Sequence, residues 1–170
     1  MELLKPTNEY SGKIMEYREA FLHADEQPHG SSSLQNFDSL DEWFEKVSKQ
    51  ELGENVQGNR VPSSQFLSIE KGELIGFVNI RQRLNEELLR ESGHIGYSVH
   101  PNKRRQGYAT KQLQLALGEA QKLGLQKVLI TCDKANIASA KTIQKVGGVL
   151  ENEVVSSHTG EIVQRYWVEI

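Results

Sequence analysis

The sequence contains very little cysteine, since Cys132 is the only one in its 170 residues. A single cysteine cannot form an internal disulfide, and it also excludes a zinc site built from four thiolates. The five histidines show no pairing at helical metal-ligand spacing, so we expect no metal site. An isolated cysteine that ends an apolar strand is typical of a small buried side chain, and a cysteine nucleophile is the alternative.

The sequence also lacks an excess of positive charge and any long apolar run. Its formal net charge of -3 gives no electrostatic reason to bind nucleic acid or an anionic membrane. No apolar run approaches the roughly 18 residues that span a bilayer. The opening residues "MELLKPTNEY" show no basic segment before a long apolar stretch. We therefore expect a cytoplasmic protein with neither nucleic acid nor membrane as a partner.

The length and composition fit one domain over residues 1–170, because a chain of this size buries a core without disulfides or metals. Hydrophobic periodicity along the chain predicts the order β-α-α-β-β-β-α-β-α-β-β. This order corresponds to a mixed α+β fold with about seven strands and four helices. Its sheet is mostly antiparallel, with one parallel crossover around the third helix.

Local signals fix several of these elements. Ser39 and Glu42 have the spacing of a capping box at the start of the second helix. Two apolar runs around Lys71 and Gly72 predict a hairpin. The polar segment 53–64, which lies between the second helix and this hairpin, is predicted to be a loop.

The segment "VHPNKRRQGYATK" is unusual because it places three cations, Lys103, Arg104 and Arg105, before a flexible Gly107 and a predicted helix start. The first N–H groups of a helix lack internal acceptors, and the helix dipole puts partial positive charge there. The backbone from Gln106 to Thr110 is therefore suited to phosphate oxygens, and a pyrophosphate fits better than one carboxylate. A solvated loop before a surface helix is the alternative.

Two common nucleotide-binding patterns are missing. The dinucleotide G-x-G-x-x-G and the G-x-x-x-x-G-K-[ST] loop both need glycines that this segment does not have. A plain ATP or NAD site is thus disfavoured, although a regulatory protein that binds a nucleotide or phosphate at this helix start stays open as an alternative.

The segment resembles the phosphate-binding signature of the GNAT superfamily, the N-acetyltransferases that depend on coenzyme A. Arg104, Gly107 and Ala109 match its pattern of Arg or Gln, two residues, Gly, one residue, and Gly or Ala. The following stretch "KVLITCDKANIASAKTIQKVGG" is similar to the family's next strand and helix. The resemblance covers about residues 65 to 155 and is closest to uncharacterised predicted acetyltransferases. It implies a GNAT-like fold.

The resemblance implies acetyl-CoA as co-substrate, bound in a gap between the strand before the turn and the strand after the helix. The residues that it assigns to cofactor binding are Ser98, Val99, Arg104, Arg105, Gln106, Gly107, Tyr108, Ala109, Thr110, Asn136 and Ser139. An amide of the first strand would stabilise the oxyanion, and Gly96 would permit the bulge or close approach that this needs. Tight packing is the alternative reason for a glycine in that strand. Asn136 is equally suited to be a helix N-cap.

Two proton transfers are less clear. Many family members carry a tyrosine that protonates the departing thiolate, but the matching residue here is Ile143. For the base that deprotonates the amine, the resemblance points to the start of the strand before the turn, where His94 and Glu91 are available.

The predicted function is acetyl transfer from acetyl-CoA to a primary amine of a small molecule or a peptide, by direct attack in a ternary complex. A coenzyme A-binding module without catalysis is an alternative, since the family's tyrosine is missing. The acceptor is not readable from the sequence. Many relatives pair through their C-terminal strands, which leaves a homodimer open.

Overall fold

The computed structural model describes residues 1–54 and 60–170. Over these residues the chain has seven strands and four α-helices in the predicted order. The strands are β1 (Glu2–Leu4), β2 (Ser63–Glu70), β3 (Glu73–Arg81), β4 (Ile95–Val99), β5 (Lys127–Asp133), β6 (Val149–Val155) and β7 (Ile162–Glu169). The helices are α1 (Ser11–His23), α2 (Leu40–Leu52), α3 (Tyr108–Lys122) and α4 (Ile137–Lys145). A single π-helical turn, Leu88–Ser92, precedes β4.

The strands form two antiparallel ladders, in the orders β1-β2-β3-β4 and β5-β7-β6. β4 continues through α3 into β5, which is the predicted crossover. The two ladders meet at His94, just before β4, because its N–H donates to the Leu129 carbonyl at 2.7 Å and its Nδ1 accepts from the Leu129 N–H at 2.9 Å. The predicted α+β architecture is confirmed. It differs from one continuous sheet in that β4 and β5 share no ladder within the described residues.

The local signals have mixed outcomes. The hairpin is confirmed, and its turn residues Lys71 and Gly72 both have positive φ, 51° and 79°. Ser39 is the N-cap residue of α2 as predicted, but its side chain makes no capping hydrogen bond. Of the predicted loop 53–64, residues 55–59 lie outside the described residues.

The core has two parts, on opposite sides of the first ladder. One is centred on α1, α2 and the faces of β2 and β3 that they cover, with Tyr17, Phe21, Trp43 and Phe77 among its buried side chains. The other joins α3 and α4 to both ladders, with Ile95, Leu113, Ile130 and Tyr166 among its members. This second part includes side chains from both ladders and so joins them in one cluster. That residues 1–170 form one domain stays a prediction.

No helix in residues 1–54 or 60–170 combines the length and apolar character needed to cross a membrane.

Candidate acetyl-CoA site and acceptor cavity

The start of α3 is open to solvent and carries no side-chain cap. Gly107 is its N-cap residue with φ of 81°, and no side-chain capping bond is formed there. A Cβ added to Gly107 would meet nothing within 4 Å. Since the first N–H groups of a helix have no intrahelical acceptor, this surface offers donors to an anion at close range. These features fit the phosphate groups of coenzyme A.

The three cations of the turn have different partners. Lys103 forms an ion pair with Glu73, and Arg104 forms a bidentate pair with Glu26 at 3.0 and 2.6 Å. Arg105, with φ of 60°, has no ion pair within the described part of the chain. The backbone and Arg105 are thus the groups that are free to meet a phosphate, while Arg104 would first have to leave Glu26.

The remaining predicted residues of the turn lie together on the same surface. Gln106 is exposed, with a long contact of 3.5 Å from Nε2 to the Asn102 carbonyl. Tyr108, Ala109 and Thr110 are half-buried in the first turn of α3. The structure therefore brings these predicted residues into one patch, and their contact with the cofactor stays a prediction.

The start of α4 is joined to β4 through side chains. The Asn136 Oδ1 accepts from the Ser139 N–H at 3.0 Å, so Asn136 is an N-cap, as the sequence allowed. The Ser139 Oγ lies 2.8 Å from the hydroxyl of Tyr97. Burial raises the pKa of Tyr97 to about 12, so this hydroxyl carries its proton at neutral pH. The sequence analysis missed Tyr97, although strand alternation alone directs it to the α4 side of β4.

Ile143 cannot replace the missing tyrosine, because it is a fully buried core residue with no polar group. It lies one turn after Ser139 on α4, and residues four apart share one face of a helix. The Tyr97 hydroxyl therefore meets α4 on the same face, one turn before Ile143. Tyr97 thus carries a protonated hydroxyl one helical turn from Ile143, the position to which the resemblance assigns a tyrosine.

Cys132 is half-buried at the end of β5, and burial raises the pKa of its thiol to about 11. A thiol that stays protonated at neutral pH is a weak nucleophile. This environment agrees with the interpretation of Cys132 as a small packing residue.

β4 has a regular register and a close contact at its glycine. The pairing of β3 with β4 runs without a shift from Gly76↔Val99 to Ile80↔Ile95, so no bulge occurs there. A Cβ on Gly30 would lie 2.3 Å from the Gly96 carbonyl oxygen. What is observed at Gly96 is therefore tight packing against Gly30, the alternative reason for a glycine here, and not the bulge.

The predicted thioester-facing pair Ser98 and Val99 is buried in two different environments. The Ser98 Oγ accepts from the Tyr17 hydroxyl at 3.1 Å, on the α1 side of the strand. The Val99 carbonyl accepts from the Arg104 Nε at 3.3 Å. Because bonding residues alternate in an antiparallel ladder and the His100 N–H bonds β3, we expect the amides of Tyr97 and Val99 to face the gap.

The geometry disfavours His94 as the base. Its Nδ1 accepts from the Leu129 N–H, so the single proton of the neutral ring lies on Nε2 and neither nitrogen is free to accept another. Burial, with a contribution from the charge of Arg81, lowers the pKa of His94 to about 4. His94 thus fastens β4 to β5, at the point where the two ladders meet.

Glu91 also has structural partners. Its carboxylate accepts hydrogen bonds from the Ser157 N–H and hydroxyl and from the Ser156 hydroxyl, at 2.7 to 2.8 Å. These bonds lower the pKa of Glu91 to about 2, which makes it a poor proton acceptor. Glu91 holds the β6–β7 turn against the π-helical turn before β4, and its role as a base stays a prediction without support from these contacts.

A cavity of about 660 Å³ lies next to the contact between Gly30 and Gly96. The loop residues 27–30 form one wall, α2 contributes Lys46, and the end of β3 contributes Arg81. His29 and Glu87 also line it. Since Gly30 belongs to both the cavity wall and the β4 contact, a molecule in this cavity lies beside the strand that would face the thioester. No sequence spacing indicated this cavity, because its residues come from distant parts of the chain.

A model of the "Acetyltransferase (GNAT) domain" family matches residues 6–149 of the chain. No curated protein matches the sequence significantly.

Three solved structures illustrate the similarity of the fold. RimJ of Mycobacterium smegmatis, in complex with CoA-disulfide, has a TM-score of 0.75 and 16% identity, with 98% of this chain and 80% of RimJ covered. The microcin C7 self-immunity acetyltransferase MccE, in complex with acetyl-CoA and AMP, has a TM-score of 0.69 and 16% identity, with 99% of this chain and 91% of MccE covered. A variant of the spermidine N-acetyltransferase SpeG of Vibrio cholerae has a TM-score of 0.67 and 16% identity, with 99% of this chain and 95% of SpeG covered.

The match of the family model to most of the chain agrees with the open helix start, the gap beside β4 and the fold. The chain therefore belongs to the GNAT family of acetyltransferases, acyltransferases whose co-substrate is acetyl-CoA.

Proposed function

We propose that the protein transfers the acetyl group of acetyl-CoA to a primary amine of a small molecule or peptide, by direct attack in a ternary complex. The observation that carries this proposal is the position of β4. The open start of α3 and the Tyr97–Ser139 contact lie on its α4 side, and the loop residue Gly30, which lines the cavity, packs on Gly96 of the same strand. In this proposal the two substrates bind at separate places near β4, so both can be bound when the amine attacks.

Acetyl-CoA would place its pyrophosphate on the backbone of Gln106 to Thr110, with Arg105 as an additional donor. Its pantetheine arm would follow the gap between β4 and β5 to the thioester. The oxyanion formed on attack would accept a hydrogen bond from a β4 amide. The N–H of Tyr97 or of Val99 can donate it, because both are expected to face the gap and not β3.

The departing thiolate would take its proton from Tyr97. A thiol has an ordinary pKa near 8.5, below the pKa of about 12 for Tyr97, so transfer to the thiolate runs uphill unless the phenolate is stabilised. The Ser139 hydroxyl, 2.8 Å from the phenol oxygen, can supply that stabilisation by donating to it. The electron pair of the broken C–S bond stays on the sulfur, which takes the proton of Tyr97 and leaves as the thiol. Tyr97 then takes a new proton from solvent.

The amine arrives protonated, since its ordinary pKa is about 10.4, and it must lose a proton before it attacks. Among the ionisable groups that line the cavity, His29 is the one next to Gly30 and hence nearest along the chain to the β4 contact. Histidine suits proton transfer near neutrality. We therefore assign the base to His29 in preference to His94 and Glu91, whose accepting atoms have other partners.

The base assignment is tested by comparing His29→Gln with His94→Gln. His29→Gln should lower kcat by about 10²-fold or more and remove the acidic limb of the pH–rate profile, at unchanged coenzyme A affinity. An intact acidic limb in His29→Gln, together with its loss in His94→Gln, would return the role to His94.

The partner expectations are carried forward as part of this proposal: an amine acceptor, a cytoplasmic location, and neither nucleic acid nor membrane. A homodimer through the C-terminal strands has support from β6, where Val149, Leu150 and Val155 are exposed at 69%, 44% and 58%. Sedimentation at several concentrations distinguishes one copy from two.

The function is tested by an assay of free coenzyme A thiol over a panel of primary amines. Amine-dependent thiol release with a mass gain of one acetyl on the amine would support the proposal. Tight coenzyme A binding without release over the whole panel would favour a binding module, and tighter binding of ATP than of coenzyme A would favour a nucleotide-binding regulator.

A further inference from the structure

The cavity beside Gly30 has an excess of positive charge, in a chain whose net charge is -3. Its lining includes the cations Lys46, Arg60 and Arg81 but, in the described residues, a single carboxylate, Glu87. The Glu87 Oε1 lies 3.0 Å from the His158 Nε2. No ion pair is formed by any of the three cations with another described residue. Among the described residues, Glu87 is the one lining carboxylate near these cations, and its charge acts on Arg81, so the lining keeps an excess of positive charge.

Lys46 points towards the loop wall of the cavity. Its ammonium donates to the Ser32 carbonyl at 2.8 Å and lies 5.1 Å from the centre of the Phe37 ring. An ammonium has three donors, and among residues 1–54 and 60–170 the Lys46 ammonium makes this one hydrogen bond, so donors are available to a ligand. Burial, with a contribution from the nearby charge of Arg60, lowers the pKa of Lys46, and this unfavourable environment would be relieved by an anion.

Arg81 is held at the opposite wall, at the end of β3. Its Nη1 donates to the Gly93 carbonyl at 3.1 Å and to the Ser92 carbonyl at 3.4 Å. These bonds fix the guanidinium, and its other N–H donors make no hydrogen bond with another of the described residues. A planar guanidinium with free donors suits a carboxylate or a phosphate.

The floor of the cavity is neutral and polar. The Asn79 amide donates to the Ser32 and Ser63 hydroxyls, both at 3.2 Å, and the Gln65 Nε2 donates to the Gly30 carbonyl at 2.7 Å. These bonds tie the loop wall to β2 and β3, so the cations face a preformed space. The same bonds set Gly30 against Gly96, which relates the charged part of the cavity to the strand proposed to face the thioester.

We propose that the acceptor is a primary amine that also carries an anionic group, a carboxylate or a phosphate, which Lys46 and Arg81 bind while the amine lies towards β4. Arg60 adds positive charge at the rim. A polyamine, whose remaining ammonium groups would lie among three cations, is a poor acceptor by the same argument. This inference rests on the proposed function, because it treats the cavity as the acceptor site.

The test compares three classes of amine of matched chain length, each with a series of spacers. The first class is an amine with a carboxylate or a phosphate (β-alanine, O-phosphoethanolamine). The second is an alkylamine with no second charged group (propylamine), and the third is a diamine (1,3-diaminopropane). Turnover is followed by thiol release, and binding to the enzyme saturated with coenzyme A is followed by calorimetry. The kcat/KM should be highest for an anionic amine and lowest for the diamine. The comparison of the carboxylated with the phosphorylated amine shows which of the two anionic groups the cavity prefers.

Lys46→Met and the charge reversal Lys46→Glu test the assignment to this cavity. Lys46→Met should lower kcat/KM for the anionic amine by about tenfold or more, the effect expected for one hydrogen bond to a charged group, and should not lower it comparably for propylamine. Lys46→Glu should shift the preference towards the diamine. Lys49→Met is the matched control, because Lys49 lies on the same helix and pairs with Glu45 outside the cavity. Thermal melting verifies that each variant folds.

The outcomes separate the two proposals. Turnover with no preference for anionic amines, or an equal loss for propylamine in Lys46→Met, would overturn the anionic acceptor and leave acetyl transfer intact. Binding of anionic amines that depends on Lys46, without any turnover, would support the anion site and contradict the proposed activity. An absence of measurable binding and turnover for every anionic amine would overturn the anion site.

Discussion

Gly30 packs directly on the backbone of Gly96, with its Cα 3.3 Å from the position that a Cβ on Gly96 would occupy. Neither residue can carry a side chain without displacing the other segment. This contact sets the loop that precedes α2 on the strand that precedes the basic turn. It thereby fixes where the cavity lies relative to β4, the strand that the proposed function places beside the thioester.

Gly30→Ala should separate these two segments. Its Cβ would lie 2.3 Å from the Gly96 carbonyl oxygen, and its φ of 73° is unfavourable for alanine. We expect a loss of about 2 kcal/mol or more in the free energy of unfolding, and a fall in kcat/KM for the amine at unchanged coenzyme A affinity. Gly72→Ala is the control, since its φ of 79° is similar but its Cβ would meet nothing within 4 Å. Equal destabilisation in urea unfolding would show that the contact is unimportant.

Gly107→Ala should weaken coenzyme A binding. A Cβ on Gly107 would meet no protein atom within 4 Å, and the strain of alanine at its φ of 81° is shared by the control below, so a specific loss would come from the ligand, whose phosphate oxygens need that space. We expect the dissociation constant from calorimetry to rise by about tenfold or more. Gly124→Ala lies at the other end of α3 with a similar φ of 87° and open space, and should keep the parental affinity. If both variants bind coenzyme A as the parent does, the pyrophosphate lies elsewhere.

Tyr97→Phe should lower kcat and leave coenzyme A affinity nearly unchanged, because it removes the proton donor beside Ser139 and keeps the ring. A general acid typically contributes about 10²–10⁴-fold. The measurement is single-turnover thiol release, with Tyr166→Phe as the control, whose hydroxyl donates to the Gln164 Oε1 at 2.8 Å and not to α4. A kcat equal to that of the control would assign the proton to solvent instead.

His94 should make stability depend on pH below neutrality. Its pKa is lowered from 6.5 to about 4, so between these values the unfolded chain binds more protons than the folded one. The contribution of His94 is fully present above pH 6.5 and decreases as the pH falls towards about 4. Between pH about 7 and about 5 we expect a loss of about 2 kcal/mol in the free energy of unfolding, which His94→Gln should not show. His23→Gln, an exposed control on α1, should show the same decrease in stability as the parent protein. A parent protein whose free energy of unfolding does not decrease over this pH range would contradict the role given to His94.

The sequence was sufficient for the elements that depend on local signals. The turn at Lys71 and Gly72, the N-cap at Asn136 and the helix that starts after Gly107 all follow from short-range chemistry. The family resemblance lay in the same segments, and for that reason it identified the co-substrate. Ser39 shows the limit of such signals, since it occupies the N-cap position without the side-chain bond that its spacing predicts.

The acceptor cavity could not be predicted because it depends on tertiary contacts. Lys46 and Arg81 belong to α2 and β3, and only the folded chain brings them to one space. His94 was misleading for a related reason: its type and place suited a base, but its Nδ1 is bonded to Leu129, a residue 35 positions later. Burial and hydrogen-bond partners of this kind are set by the whole fold.

The central claim, direct attack on acetyl-CoA by a bound amine, is tested most directly by initial rates of thiol release when both substrates are varied. The account predicts lines that intersect in the double-reciprocal plot, together with retention of most activity in Cys132→Ala. Parallel lines, with a mass gain of one acetyl on the enzyme that Cys132→Ala abolishes, would contradict it.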